Sequence, residues 1–201
     1  MNPVKRGCAL RLPNPLPKHL KDEEVDIFLK AIKSKRDLAI FTLMLRCGLR
    51  VEEVANVTLN ALDYRRRQLL VIGGKGGKDR MVYISPDTYE ALVQYLKRRP
   101  RTRFQKVFLV EKGIHKGKPI SVRGIQKRME YYAGKKGLKI SCHHLRHTMA
   151  TQLLNADVDL VIIQDLLGHT RIKTTQRYSR ISNKKVQQEY FKAMAEIIEK
   201  G

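Results

Sequence analysis

One glycine-rich stretch, Gly73-Gly74-Lys75-Gly76-Gly77-Lys78-Asp79, limits the β-structure this chain can build. It separates two short runs, residues 68–72 (QLLVI) and 80–84 (RMVYI), that read as strands joined by a hairpin. Most of the remaining chain repeats its apolar residues at three- and four-residue steps, the period of a helix with one buried face. Acidic Asp22-Glu23-Glu24 open the first helix, where the dipole favours negative charge, and Val25, Phe28, Leu29 and Ile32 follow. A helix over 36–47 is apolar on most sides and therefore central, and Gly48 stops it. Further helices are expected over 51–57, 86–99, 121–135, 143–155, 157–167, 173–180 and 184–199, with a third short strand at 107–110 (VFLV). The expected fold class is mainly α with a small antiparallel β-sheet, an α+β chain. Residues 2–18 hold four prolines and four basic residues and no acid, and read as an extended arm.

Charge narrows the partners. Lys and Arg number 41 against 19 Asp and Glu, a formal net charge of +22 on 201 residues. Such self-repulsion opposes compaction and is relieved by a polyanion, whose condensed counterions are released when basic side chains pair with phosphates. A nucleic acid is the expected partner. No apolar run approaches the ~20 residues that span a bilayer, so no membrane partner is expected. Cys8, Cys47 and Cys142 are odd in number and form no CxxC pair, which points to a reducing compartment, the cytoplasm, in contact with the nucleoid.

Four segments could carry chemistry. In Cys47-Gly48-Leu49-Arg50-Val51-Glu52-Glu53, Arg50 sits between a helix stop and the next helix, and Glu53 is placed to pair with it. The glycine hairpin carries Lys75 and Lys78; it lacks the GK[ST] of a P-loop. In His143-His144-Leu145-Arg146-His147, residues 143, 146 and 147 share one helical face. Two histidines at i, i+4 could bind zinc, but no HExxH glutamate is present and a guanidinium between them repels a cation. A forked guanidinium and imidazoles suit a phosphate better. Finally, Leu166-Leu167-Gly168-His169 is followed nine residues after His169 by Tyr178, a phenol in a basic segment.

Taken in order, GLRVEEV, GGKGGKDRMVYI, HHLRHTMATQLL and LLGHTRIKTTQRY resemble the arginine boxes and hairpin lysine segment of the tyrosine recombinase (phage integrase) family, the Xer-type members above all. The resemblance covers about residues 18–182 and implies that family's catalytic-domain fold over 19–182. Residues 1–18 then resemble its interdomain linker, and 183–201 its C-terminal helix, whose apolar face has two readings: packing on its own domain or, as is typical of the family, docking into a neighbouring protomer.

The resemblance also implies roles. Tyr178 would attack a DNA phosphate and form a 3′-phosphotyrosyl bond. Arg50 and Arg146 would hold the non-bridging oxygens, and Lys75 would protonate the leaving 5′-oxygen, with Lys78 as the alternative acid. His143 would take or position the tyrosine proton, and His169 would donate to a phosphate oxygen. Glu53 and His147 would support these groups; His144 has no assigned role. No metal, nucleotide or other cofactor is implied, because the phosphotyrosyl bond conserves the energy of the cut strand. Double-stranded DNA is the partner that the resemblance implies, and a homotetramer on it is expected, monomeric when free. The readings to be separated from a recombinase are a type IB topoisomerase, which uses similar chemistry, and a DNA-binding relative without activity.

Overall fold

The computed structural model describes residues 19–73, 79–168 and 183–199. Its elements run α1 (Asp22–Ala31), α2 (Lys35–Arg46), α3 (Val51–Asn56), a 3₁₀ turn (Leu59–Ala61), β1 (Leu62–Asp63), β2 (Gln68–Val71), β3 (Arg80–Tyr83), α4 (Pro86–Leu96), α5 (Val122–Lys135), α6 (Cys142–Asn155), α7 (Leu160–Leu167) and α8 (Asn183–Glu199). Helices with one small antiparallel sheet are the expected class. The arm at 1–18 and the expected helix at 173–180 lie outside the described residues.

Helix α2 is the axis of the fold, as its all-round apolar pattern requires. Ala39, Ile40, Phe41, Leu43, Met44 and Leu45 are all buried, and the hydroxyl of Ser34 caps the helix by accepting from the Asp37 N–H at 3.3 Å. Asp37, itself fully buried, ties α2 to α5. Its carboxylate accepts from Arg36, from Arg128 Nε at 2.7 Å and from the Tyr132 hydroxyl at 3.0 Å. Burial of an unpaired carboxylate is costly, so these partners fix α5 at one angle to α2.

The sheet has strand order β1-β2-β3. Leu69 lies opposite Val82, and Val71 opposite Arg80, which puts Leu69, Val71 and Val82 into the core and leaves Leu70 and Met81 outside. Two expectations about strands are corrected. The third strand is Leu62–Asp63, too short to show a period, paired with residues 68–69. Residues 107–110 form no strand of the sheet, and Leu109 makes only an isolated bridge to Pro119. Their apolar run reflects the burial of three successive residues, Val107, Phe108 and Leu109. The Tyr95 hydroxyl of α4 donates to the Val107 carbonyl at 3.2 Å and accepts from the Leu109 N–H at 3.0 Å.

A second apolar cluster lies under α6, α7 and α8, built on Met149, Leu153, Ile162, Leu166, Leu167 and Tyr83. Helix α8 seats Val186, Tyr190, Ala193 and Met194 in it, and the Tyr190 hydroxyl donates to the Arg46 carbonyl at 3.2 Å. Each such large side chain contributes about 1.5–3 kcal/mol relative to exposure. In this structure the apolar face of α8 is thus satisfied by its own chain.

Two glycines set how closely the helices converge. Gly48, just past α2, has φ +66°, and a Cβ there would lie 2.6 Å from Met149 Sδ and 2.7 Å from Leu167 Cδ2. Gly168 caps α7 with φ +62°, and a Cβ there would lie 2.8 Å from Arg80 Cδ. Only glycine takes this backbone shape and this contact together. The carbonyl ends of α2 and α7 are therefore brought to one place, beside the N-terminus of α3 and the flank of α6.

Candidate active site

At that junction a cavity of about 410 Å³ is lined by Arg50 and Glu52, by Arg123, Gln126 and Glu130 of α5, and by Cys142, His143 and Arg146 of α6. Arg50 caps α3. Its backbone N–H donates to Glu53 Oε2 at 2.8 Å and its guanidinium to Glu53 Oε1 at 2.9 Å, so one carboxylate closes the helix start and aims the side chain.

Glu53 has a second partner that sequence reasoning did not single out. Arg80, the first residue of β3, donates to both carboxylate oxygens at 2.8 Å and to the Leu166 carbonyl at 3.1 Å. Burial alone would raise the Glu53 carboxyl, but the hydrogen bonds from Arg80, then those from Arg50, outweigh it and hold it down at about 2. Glu53 is accordingly an anion between two cations, with a side chain only 7 % exposed. The only sequence signal for Arg80 is that it ends the glycine hairpin. Its meeting with Glu53 depends on strand register and on the missing side chain of Gly168.

Arg146 is almost fully buried on α6, and its guanidinium donates to the carbonyls of Gly48 and Leu167, the two helix ends described above. Neither partner is an anion. Burial, followed by the charges of Arg50 and Arg80, lowers its pKa to about 9 against the opposing pull of Glu53. Arg50, Arg80 and Arg146 share the single Glu53 carboxylate and keep this cluster net positive, while Glu52 and Glu130 line the cavity with Arg123 and Arg50 without pairing to Arg146. Helix carbonyl ends orient Arg146 without neutralising it, which leaves the field free for an anionic ligand.

His143 is exposed on the same cavity, and its ring meets that of His147 edge-on at a centroid distance of 4.4 Å. His147 is held below its ordinary pKa by burial, then by His143, His144 and Arg146, which favours a neutral support at neutral pH. His144 Nδ1 accepts from the Ser141 N–H at 2.9 Å and so caps α6, a structural part that was not expected for it. Among the described residues no three His, Cys, Asp or Glu side chains gather as a metal site. Cys47 and Cys142 are free thiols, and burial pushes them to about 12 and about 11. No helix among the described residues is long and apolar enough to cross a membrane.

The structure thus brings Arg50, Glu53, His143, Arg146 and His147 together and adds Arg80. Lys75, Lys78, His169 and Tyr178 lie outside the described residues.

Comparison with known proteins places the sequence and the fold. The phage integrase family model matches residues 18–185. The tyrosine recombinase XerA of Pyrococcus horikoshii is 35 % identical over 183 residues, covering 91 % of this chain and 64 % of that protein. The tyrosine recombinase XerC of Caldanaerobacter subterraneus is 36 % identical over 196 residues, covering 93 % and 54 %. The chain therefore spans between about half and two thirds of the length of these curated relatives. Among solved structures, that of a XerA recombinase superposes with a TM-score of 0.71 at 28 % identity, over 89 % of this chain and 65 % of that one. That of XerH bound to a palindromic difH substrate shares the fold, with a TM-score of 0.66 at 24 % identity, over 88 % and 53 %. With the family model spanning most of its length, and with relatives above one-third identity, this chain belongs to the phage integrase family, as a tyrosine recombinase catalytic domain.

Proposed function

We propose that the chain is a site-specific DNA recombinase that cuts and rejoins strands through a 3′-phosphotyrosyl intermediate. The observation that carries this reading is the meeting of Arg50, His143 and Arg146 on one cavity wall, where with Arg80 and Arg123 the guanidiniums outnumber the carboxylates of Glu52, Glu53 and Glu130. A DNA phosphodiester is the ligand that supplies the missing anion, and the net charge of +22 favours its approach.

In this mechanism the Tyr178 oxygen attacks phosphorus and the bond to the 5′-oxygen breaks. The phenol proton passes to His143, and the 5′-oxygen takes a proton from Lys75. Arg50, Arg146 and His169 balance the charge that grows on the non-bridging oxygens. A free phenol, with a pKa of about 10, is a weak nucleophile at neutral pH; the surrounding cations stabilise its anion. The reverse attack by a 5′-hydroxyl reseals the strand and returns the tyrosine, so no external energy source is consumed. The cut bond is exchanged for one of similar energy.

A structure of the same fold, the Tn1549 transposon integrase, was solved in complex with circular intermediate DNA, and that precedent, with the net charge, supports double-stranded DNA as the partner here. We further assign a homotetramer on paired DNA sites, acting on nucleoid DNA in the cytoplasm. The monomer off DNA would keep α8 on its own core, and assembly would transfer it to a neighbour's equivalent groove. The test is a nicked suicide duplex that traps the covalent intermediate. The parent chain should form an adduct that maps to Tyr178, and Tyr178→Phe should bind the duplex but form none. An adduct that survives in Tyr178→Phe would remove the proposal.

A further inference from the structure

Residues 110–119 close a small basic loop that the reaction does not use. Its base is stitched by the Val110 N–H to the Lys118 carbonyl at 2.8 Å, by the Gly117 N–H to the Val110 carbonyl at 2.8 Å, and by the Leu109–Pro119 bridge. The Lys116 N–H to the Gly113 carbonyl at 3.0 Å tightens the tip, and Gly113 and Gly117 take φ +81° and +82°. The Arg36 guanidinium pins the Leu109 carbonyl at 3.0 Å, and the Ser34 hydroxyl donates to Glu111 at 3.2 Å. On this braced tip stands Ile114, 92 % exposed, while the other exposed large apolar side chains described reach at most 66 %. Lys112, His115, Lys116 and Lys118 flank it in the chain, all exposed, and residues 112–118 contain no acid.

A single exposed apolar residue is ordinary on a protein surface. Here, however, an isoleucine occupies a turn position that asparagine, glycine or serine would fill more readily. It stands on a hydrogen-bonded turn, with Lys112 before it and Lys116 and Lys118 after it. We propose that this loop is a second DNA contact, with Ile114 as an apolar wedge in the minor groove and Lys112, Lys116 and Lys118 on the flanking phosphates. A tight turn is narrow enough for a groove of about 6 Å that would exclude a helix. Inserted apolar side chains flanked by basic ones are how proteins unstack and kink duplex steps. Reach is sufficient. Ile114 lies nine residues before Arg123 of the cavity wall, at most about 32 Å of chain. That is shorter than one turn of duplex, about 34 Å. The inference rests on the DNA reading above and adds a bending element to it.

The test uses the whole chain and a nicked duplex on which it forms the Tyr178 adduct, with 2-aminopurine placed at successive steps. The parent should brighten one step within a turn of the cut, and Ile114→Ala should abolish that signal. Ile114→Ala should also weaken binding by about tenfold, the worth of burying part of one isoleucine. Replacing Lys112, Lys116 and Lys118 together by Ala should lower the slope of log K against log salt by about 2–3. Both changes are at exposed positions, and unchanged melting temperatures confirm folding. A parent that binds and cuts duplex DNA while the loop variants match it in brightening, affinity and salt slope overturns the loop contact alone. Loss confined to the pairing of two duplexes would make the loop a protein contact and also overturn it. A parent that neither binds nor cuts duplex DNA overturns the functional reading itself.

Discussion

The Arg146 guanidinium is hydrogen-bonded to the main-chain carbonyl of Gly48, 98 positions earlier in the chain. The same guanidinium holds the carbonyl of Leu167. One side chain thus gathers the ends of α2 and α7 and is in turn oriented by them. The packing that closes the two cores also fixes the cation proposed to meet the phosphate.

Gly48→Ala tests that coupling. The new methyl group meets Met149 and Leu167 at a left-handed backbone position, so the variant should lose about 2–3 kcal/mol of stability. Because the Gly48 carbonyl must shift, adduct formation should fall more than DNA affinity. Urea denaturation, single-turnover trapping and equilibrium binding read the three effects. An equal loss of affinity and rate would mean that the glycine serves folding alone.

Glu53 gives a pH signature. Its carboxyl falls from 4.5 to about 2 in the fold, so its ionised form stabilises the native state. That contribution is complete above pH 4.5 and is lost as pH falls toward 2. With its side chain little exposed, the effect is on the order of 2–3 kcal/mol. Glu53→Gln should be less stable than the parent at pH 6 and should converge on it near pH 2. Parallel denaturation curves from pH 6 to pH 2 check this, and a constant gap across the range would contradict it.

Much of this site was legible before any coordinates. The helix stop at Gly48 announced the position of Arg50, and the three- and four-residue spacing from His143 placed Arg146 and His147 on one helix. The mostly apolar pattern of 36–47 marked the central helix. Arg80 was not legible, because its value comes from a long-range meeting with Glu53 and from the absence of a Cβ at Gly168. Strand β1 has only two residues, below the length at which alternation can be read. In the run at 107–110, Val107, Phe108 and Leu109 are all buried in succession, so it shows no alternation. Local spacing reveals faces; it does not reveal which distant faces meet.

The acid in the proposed reaction is separable from its neighbour. Lys75→Ala should abolish cleavage of an ordinary phosphodiester, with a loss of about 10²–10⁴-fold. It should recover on a substrate whose leaving 5′-atom is sulfur, since a thiolate departs without a proton. Single-turnover rates on the two substrates decide it. Rescue of Lys78→Ala in place of Lys75→Ala would transfer the role to Lys78.

The central claim is that the cavity cations neutralise the charge of a DNA phosphate during strand cleavage. Arg50→Ala on paired substrates tests it most directly, one carrying the natural phosphate at the cut and one an uncharged methylphosphonate. Covalent trapping should fail on the first and return on the second, where one negative oxygen has been removed. Equal failure on both, with DNA binding intact, would contradict the claim.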